Sequence, residues 1–484
     1  SCYIMIGDFT NFFDNLDHRY LKDRWCELLG TSSLPEDHYA IFKNITRYNK
    51  WELLDLLKLN GLEDTVSGRR ELNSKNLVIS KELYKKYKNH IIKNNSGYGI
   101  PQGSPISGLL ANVYMLDIDK QINDYVSSLD GLYMRYSDDF ISSFSAYMEK
   151  EDADLVFSSN YFPLVSKVCQ KFNKPYAAWV YDCPHLSLYS ATVINSCNHI
   201  FTFDSATYNE FNRQGITTVH YMPLAAAVSR LDKMIPDNSV HNKLDCDVSF
   251  VGSMYDESHN LYESLSGLDK YTKGYLDAII QAQQSISGYN FIEELLSDKI
   301  LSQLREVKPY TPDSDGVETD SYIYSRYFID RKITELERKK LLGAVSDNFN
   351  TNLYTHNPTP YLPNIHNLGA IDPYNVMPYV FKCSRINLNI TLRSIYTGIP
   401  LRAIDIMGSG GFLMSNYQSD MDEFFENGTD YVMYDGTDDL IAKCRYYLEH
   451  EAERAAIAVN GYNKIKAHHT YVIRLQEILN KIFN

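Results

Sequence analysis

The sequence lacks any run of about 18 apolar residues, the length that a helix needs to span a membrane. It also lacks CxxC pairs and His/Cys clusters with the spacing of zinc sites, and its 8 cysteines are scattered over 484 residues. These absences argue against a membrane-spanning protein, a disulfide-stapled secreted domain and a zinc-binding module. The pattern is typical of a cytoplasmic protein with reduced, mostly buried thiols, and we expect that localisation.

An excess of positive charge is also missing. Residues 1–141 contain 17 Lys and Arg against 19 Asp and Glu, and the remaining residues contain 30 against 42. A domain that grips nucleic acid by its phosphates normally carries a basic surplus. The composition therefore counts against a complete, working polymerase and leaves other classes of enzyme open.

The order of apolar and polar residues predicts an α/β protein with several domains. Residues 1–142 are expected to form an opening strand, three helical regions (17–29, 37–57 and 109–126) and a β-hairpin from 132–136 and 140–144. From residue 153 onward, short apolar strands alternate with amphipathic helices, which is typical of parallel sheets. These strands are expected at 155–157, 176–181, 200–203, 218–222, 247–252, 351–354, 386–390, 411–415 and 430–433. We assign one such domain to residues 150–245 and a second to 246–484, with a helical section at 256–349.

Three blocks of residues 1–142 form a first constellation. Asp8 ends the opening strand, a Gly/Pro-rich loop follows at 97–107, and Asp138 and Asp139 occupy the turn of the expected hairpin. Nucleotidyl transfer uses two divalent ions held by carboxylates, and hard cations prefer oxygen ligands. Asp8 and Asp138 on neighbouring strands could form such a cage. An Asp pair in a turn is, by itself, more often ordinary solvated turn chemistry.

Together the three blocks resemble the palm of bacterial reverse transcriptases of the retron, group II intron and abortive-infection type. The resemblance implies that Asp8 and Asp138 hold Mg²⁺ and that Asp139 is the second acidic residue of the motif. It implies contacts to nucleotide, template or primer for Phe13, Pro101, Gln102, Gly103 and Tyr136. The fingers and thumb of that family have no counterpart in the sequence. We therefore expect an inactive polymerase fragment, with nucleic acid as its possible partner.

A second constellation lies at 398–416. Arg402 offers a fork of donors for a diphosphate, and Asp405, about one helical turn later, could accept hydrogen bonds from ribose hydroxyls. Helix N-termini at the ends of parallel strands suit the same anion. Three glycines, which would let backbone approach a ligand, and one strand-end amide complete the set: Gly408, Gly410, Gly411 and Asn416. The alternative is a surface Arg/Asp pair followed by a glycine helix cap.

This stretch resembles the C-terminal domain of GT-B glycosyltransferases, specifically the bacterial spore-maturation type related to the group 1 enzymes. The resemblance extends over about 150–484 and implies twin Rossmann-type domains, the first one truncated. It implies that Asp405 binds the nucleotide ribose, where the family more often has glutamate, and that Arg402 and the glycine turn face the diphosphate. Asp182, at the end of a strand, is a candidate base or hydrogen-bond partner for the acceptor, or alternatively the cap of the next helix.

The function expected from the resemblance is transfer of a sugar from a nucleoside-diphosphate sugar to a glycan, lipid or protein acceptor. One alternative is a defence-type RNA-directed DNA polymerase remnant with an accessory domain, and another is a non-catalytic binding protein. The junction near 141–154 has no Pro/Gly/Ser linker. We therefore expect a gene-prediction or assembly chimera, or a truncated reading frame, rather than an evolved bifunctional enzyme.

Overall fold

The structure is a computed structural model, and its described residues divide into two compact units between 152 and 153. It describes residues 12–65, 68, 69, 71, 72, 75, 77–101, 105–127, 140–150, 153–256 and 261–483.

The N-terminal unit is mainly helical. Its helices are Phe12–Asn15, His18–Leu28, Glu36–Thr46, Leu53–Leu59, Lys81–Tyr87, the 3₁₀ turn Lys88–His90, Pro105–Ser127 and Phe140–Lys150. Two short antiparallel strands, β1 (Asn49–Lys50) and β2 (Ile92–Lys93), pair with each other. Asp17 caps the second helix by accepting a hydrogen bond from the Tyr20 amide at 2.8 Å. That helix buries Leu21 and Trp25 in a core shared with Leu110 of the longest helix.

The helices expected at 17–29 and 109–126 are confirmed, whereas two other predictions for this unit are wrong. The helix expected at 37–57 is two helices separated by β1. The second strand of the expected hairpin, 140–144, is instead the start of the helix Phe140–Lys150. The physical reason is the spacing of its buried residues, because Phe144 and Met148 are one helical turn apart. The opening strand and the rest of the hairpin lie outside the described residues.

The C-terminal unit contains two parallel sheets, so it is a mixed α/β fold. The first sheet has the order β3-β4-β5-β6. Its strands are β3 (Val156–Ser159), β4 (Tyr176–Val180), β5 (Asn198–Thr202) and β6 (Val219–Tyr221). Every residue of β4 is buried, as expected for a central parallel strand with both faces covered. The helices around this sheet are Pro163–Phe172, Leu186–Leu188 (3₁₀), Ala191–Ile194 (3₁₀) and Ser205–Arg213.

The second sheet has six parallel strands in the order β12-β11-β10-β7-β8-β9. They are β7 (Cys246–Val251), β8 (Thr351–Tyr354), β9 (His366–Asn367), β10 (Ser384–Asn389), β11 (Leu413–Asn416) and β12 (Val432–Tyr434). The sequence predicts every strand of both sheets except β9. In this order, β8 and β9 lie on one side of β7, whereas β10, β11 and β12 lie on its other side. The loops that follow β7 and β10 therefore lead in opposite directions from neighbouring strands. Ligands bind at such a point in open α/β sheets.

The helices of this part fall into three groups. Val228–Leu231 and Asn238–Leu244 join the two sheets. Between β7 and β8 lie Tyr262–Ser264 (3₁₀), Lys270–Gln283, Ile292–Leu295, Asp298–Val307, Asp320–Ile323, the π-helical turn Tyr324–Ile329 and Asp330–Ser346. The remaining helices are Met377–Cys383, Leu401–Gly408, Met421–Phe424, Gly436–Glu449, Glu451–His468 and Tyr471–Phe483. The last helix returns to the first sheet, where Ile478 packs in the same core as Trp179.

In the part of the chain that the structure describes, no helix has both the length and the apolar character required to cross a lipid bilayer. The seven cysteines within that part are free thiols, and all except Cys183 are buried.

Candidate functional site

The carboxyl ends of strands from both sheets meet in one region of the C-terminal unit. β4 and β5 of the first sheet end at Val180 and Thr202, and β10 of the second ends at Asn389. The segment 390–400 that follows β10, called the β10 loop below, contacts the first sheet directly. The Cys183 thiol donates to the Ser394 carbonyl at 3.2 Å, which joins the two strand ends.

Asp204 fixes the β10 loop against the first sheet. Its carboxylate accepts hydrogen bonds from the Tyr396 amide at 2.8 Å and the Thr397 hydroxyl at 2.9 Å. The same carboxylate caps the helix Ser205–Arg213. Packing is tight here, because a Cβ on Gly398 would lie 2.8 Å from the Phe203 carbonyl oxygen. The loop is therefore held in one position by charge-assisted hydrogen bonds and by steric fit.

Asp420 and Ser205 form a second set of hydrogen bonds in the same region. The Asp420 carboxylate accepts from the Ser205 amide at 3.0 Å and from the Ser205 hydroxyl at 2.6 Å. Burial raises the pKa of Asp420, and the hydrogen bonds from Ser205 oppose that rise. Neither Asp204 nor Asp420 is predicted from the sequence, because an aspartate before a helix carries no pattern that reveals a partner distant in the chain.

Two arginines from the long helical section support the β10 loop from the other side. The Arg338 guanidinium donates to the Ile390 carbonyl at 2.6 Å, and the Arg326 guanidinium donates to the Ser394 carbonyl at 2.9 Å. Both arginine side chains are buried. The sequence gives no signal for Arg326, since the section that carries it has only the periodicity of an ordinary helix.

Arg402 and Asp405 lie on the helix Leu401–Gly408, which begins directly after the β10 loop. Both side chains are half-buried. Burial raises the pKa of Asp405 to about 6, against the opposing charges of Arg402 and Arg230. The helix meets the first sheet through Leu401, which packs against the core that contains Trp179. The pair is half-buried and is therefore not a fully solvated surface pair.

Arg402 itself packs beside apolar neighbours. Its guanidinium contacts the Met377 sulfur and lies 5.7 Å from the centre of the Phe381 ring. Burial lowers its pKa, and the positive charge of Arg338 acts in the same direction. The negative charge of Asp405 opposes this lowering of the Arg402 pKa.

The three predicted glycines, Gly408, Gly410 and Gly411, lie at the end of the same helix. A Cβ on Gly408 would lie 2.5 Å from the Cβ of Ala226, so this glycine serves close packing against protein. Gly410 has a positive φ of 80° and follows the end of the helix, and the Gly411 amide donates to the Ile406 carbonyl at 2.9 Å. This is a glycine C-cap. The C-terminal end of a helix carries partial negative charge, which disfavours a diphosphate there.

The other two predicted residues of this part lie at strand ends. The Asn416 side chain at the end of β11 accepts a hydrogen bond from the Thr391 amide at 2.8 Å, so it positions the start of the β10 loop. Asp182 is exposed and accepts from the Asn160 side chain at 2.8 Å. The helix that follows it, Leu186–Leu188, has no side-chain cap, so the capping alternative for Asp182 is wrong.

Two predicted polymerase residues fall within the described part of the N-terminal unit. Phe13 and Pro101 lie on segments that the backbone brings together, because the Ile100 amide donates to the Phe13 carbonyl at 3.0 Å. His18 contacts the Gly99 carbonyl oxygen at 2.6 Å and strengthens the same junction. The remaining residues of that constellation lie outside the described residues: Asp8, Gln102, Gly103, Tyr136, Asp138 and Asp139. Among described residues, no group of three potential metal ligands occurs.

Comparison with known proteins adds information for the C-terminal unit. Residues 331–480 match the glycosyl transferase-like family. The match confirms the glycosyltransferase resemblance over that segment, which includes Arg402, Asp405 and Asn416. It does not extend to residues 1–142, so the reverse-transcriptase resemblance stays a prediction. No curated protein is significantly similar in sequence.

Several solved structures are similar to the chain at low identity. HepE of Anabaena in complex with UDP has 10% identity and a TM-score of 0.41, with coverage of 71% of this chain and 81% of that one. A sucrose-phosphate synthase of Thermosynechococcus elongatus has 11% identity and a TM-score of 0.40, with coverage of 73% and 81%. A glycosyltransferase of Rickettsia africae has 9% identity and a TM-score of 0.41, with coverage of 74% and 86%.

Proposed function

We propose that residues 150–484 form a GT-B-type glycosyltransferase, which transfers a sugar from a nucleoside-diphosphate donor to an acceptor held at the interface of the two sheets. The observation that carries this proposal is the position of Arg402 and Asp405. Both lie on one helix that begins at the β10 loop and faces the other sheet, within the segment that matches a glycosyltransferase-like family.

The chemistry follows from the charges in this region. The helix Leu401–Gly408 begins after Pro400 without a side-chain cap, and the Ala403 amide donates to the Pro400 carbonyl at 2.9 Å. The earlier amides, of Leu401 and Arg402, are the ones we assign to the diphosphate. Arg402 adds guanidinium donors, and Arg338 adds positive charge. These groups stabilise the negative charge that develops on the departing diphosphate. We assign Asp405 as the acceptor for the ribose hydroxyls, since a hydroxyl that donates to its carboxylate would lower its raised pKa.

For the acceptor, we assign Asp182 as the group that binds or deprotonates the attacking hydroxyl. It follows β4, is exposed, and is held by Asn160. A glycan, lipid or protein hydroxyl would satisfy this role. An exposed carboxylate at the rim of the interface is accessible to a large acceptor, whereas the buried groups around Arg402 are suited to the donor.

The first experiment measures donor binding and transfer. Thermal-shift and calorimetric titrations with UDP, GDP and ADP identify the nucleobase of the donor. Hydrolysis of the corresponding glucose or mannose nucleotide then gives kcat/KM. We expect Arg402→Ala to lower kcat/KM at least tenfold, which corresponds to a loss of about 1.4 kcal/mol of transition-state stabilisation. Arg445→Ala, an exposed arginine on the helix Gly436–Glu449, is the matched control.

Two results would contradict the proposal. Absence of binding by all three diphosphates refutes a nucleotide-sugar enzyme and favours a non-catalytic binding protein. Equal rates for Arg402→Ala and Arg445→Ala remove Arg402 from the site.

The prediction for residues 1–142 remains separate, namely an inactive reverse-transcriptase fragment. Primer extension on an RNA template with Mg²⁺, compared with an Asp138→Ala variant, tests it. Extension well above that variant would restore the polymerase alternative. An intact genomic read across 141–154 would show whether the two parts are naturally joined.

A further inference from the structure

A groove of about 660 Å³ runs along the outer side of the helix Gly436–Glu449. Its second wall is the end of the helix Asp330–Ser346, where Ala344 and the nearby Asn348 line it. The residues that the first helix contributes follow the spacing of a single helical face, called the outer stripe below: Asp438, Ile441, Ala442, Arg445 and Tyr446.

The groove lies across the second sheet from Arg402. The helix Gly436–Glu449 packs in the same core as Phe250, whereas the helix Leu401–Gly408 packs in the same core as Val251. Successive side chains of a strand point to opposite faces of its sheet, so the two helices cover opposite faces. The groove is therefore separate from the proposed donor site.

The outer stripe carries two exposed charges that lack a partner of opposite sign. Within the described part of the chain, Asp438 forms no ion pair, and the Arg445 side chain has one contact, with Asn348 Oδ1 at 3.5 Å. The two charges are about 10 Å apart along the helix, which is too far for them to pair with each other. Asp439 and Lys443 of the same helix, by contrast, pair at 2.7 Å.

The part of the stripe between these charges is apolar. Ile441 is half-buried and Ala442 is exposed, so the middle of the stripe is a low apolar surface that a second helix can approach closely. Tyr446, which is 43% exposed, extends this surface beside Arg445. Glu449 adds an acidic side chain at the far end of the groove.

Such a face is complementary to itself. If two copies of the helix pack antiparallel about a two-fold axis that passes between Ile441 and Ala442, Ile441 of each copy meets Ala442 of the other. The same rotation places Asp438 of each copy opposite Arg445 of the other, because both are equally far from the axis along the sequence. Each charge then gains the partner that it lacks within one chain, and the two ion pairs fix the register of the helices.

We propose that the outer stripe is the interface of a homodimer, in which the helices Gly436–Glu449 of two copies pack antiparallel and Asp438 pairs with Arg445 across the axis. Interfaces formed by one pair of helices are small, so we expect a reversible dimer with a Kd on the order of 10 µM. Because the stripe and Arg402 lie on opposite faces of the sheet, this interface is independent of the proposed function.

Sedimentation velocity of the full chain at about 1 to 100 µM measures the association. We expect the mass to rise with concentration from that of the monomer, 55.8 kDa, toward twice that value. Arg445→Asp places carboxylates opposite carboxylates and should raise the Kd at least tenfold. Lys273→Asp makes the same change of charge at an exposed position of the helix Lys270–Gln283, and as the matched control it should leave the Kd unchanged.

A double variant distinguishes an interface from a defect of the fold. Asp438→Arg alone should also raise the Kd at least tenfold, since it places guanidinium groups opposite each other. Asp438→Arg combined with Arg445→Asp should return the Kd to within about threefold of wild type, because both ion pairs form again with their signs exchanged. Two changes that merely damage the fold do not repair each other.

Three results would overturn the proposal. The first is a wild-type chain that stays at 55.8 kDa up to about 100 µM. The second is a dimer that Arg445→Asp and Lys273→Asp affect equally, because another surface then forms it. The third is a double variant that associates as weakly as either single variant, which excludes the pairing of Asp438 with Arg445.

Discussion

Asp204 offers the most direct test of how the two sheets are held together. Its carboxylate accepts from the Tyr396 amide and the Thr397 hydroxyl of the β10 loop, and from the first amides of the helix Ser205–Arg213. The side chain is 1% exposed. Asp204→Ala removes all of these acceptors at once and leaves a buried amide of the loop without a partner.

The expected magnitude is the sum of two effects. Loss of a helix N-cap costs about 1 kcal/mol. Loss of the two bonds to the loop, with one buried amide left unpaired, costs about 2–4 kcal/mol more. Asp237→Ala is the matched control, since Asp237 caps the helix Asn238–Leu244 through the Val240 amide alone and is exposed. The difference between the two variants isolates the contacts to the β10 loop.

Urea unfolding measures the free energy of each variant, and amide hydrogen exchange assigns the change to peptides. The exchange step is needed because the chain has two units and a single unfolding transition is not assured. We expect Asp204→Ala to be less stable than Asp237→Ala by about 2–4 kcal/mol, with faster exchange in peptides that cover 394–400. Equal free energies for the two variants, with unchanged exchange in those peptides, would refute this account of the interface.

Two further predictions concern burial. Burial raises the folded pKa of Asp330 to about 7 and that of Asp405 to about 6, above their unfolded values. The folded state therefore binds protons more tightly than the unfolded state, and stability falls as the pH rises from about 4 through 7. Urea unfolding at pH 5 and pH 8 should show a smaller loss of stability for Asp330→Asn than for wild type, and parallel losses would contradict the burial of an ionisable carboxyl at this position. Gly408→Ala should lower stability by about 1–3 kcal/mol through overlap with Ala226, although alanine favours helices. Gly274→Ala, in an open helical position, should raise stability by up to about 1 kcal/mol; a stabilising Gly408→Ala would show that the helix is not packed as described.

The strands of residues 153–484 can be predicted from the sequence for a simple reason. A parallel strand buried on both faces is a short apolar run between turn residues, as in β4, where every residue is buried. β9 could not be predicted, because it is two residues long and polar, His366–Asn367. A strand is predicted at 140–144 because these residues follow the polar turn at 138–139. Their apolar positions, 140, 141 and 144, instead have the helical spacing that Met148 continues.

The candidate site is less accessible to sequence reasoning because its contacts are long-range. Asp204 and Tyr396 are 192 residues apart, and Arg326 and Ser394 are 68 apart. Neither pair forms a local pattern. Arg402 and Asp405 could be selected because both lie on one helix, where spacing along the sequence is informative. For the glycines after them the sequence leaves two readings open, because a helix C-cap and a ligand-binding turn use glycine for the same backbone reason.

The contacts of the β10 loop explain how the proposed donor site is held in one position. The Arg338 and Arg326 guanidinium groups donate to the Ile390 and Ser394 carbonyls. The Asp204 carboxylate accepts from the Tyr396 amide. These three charged side chains come from separate segments of the chain. The loop they fix ends in the helix with Arg402, so the group proposed to bind the diphosphate follows directly on an immobilised stretch of backbone. A donor that meets such a stretch loses less conformational entropy on binding, because the protein groups are already ordered.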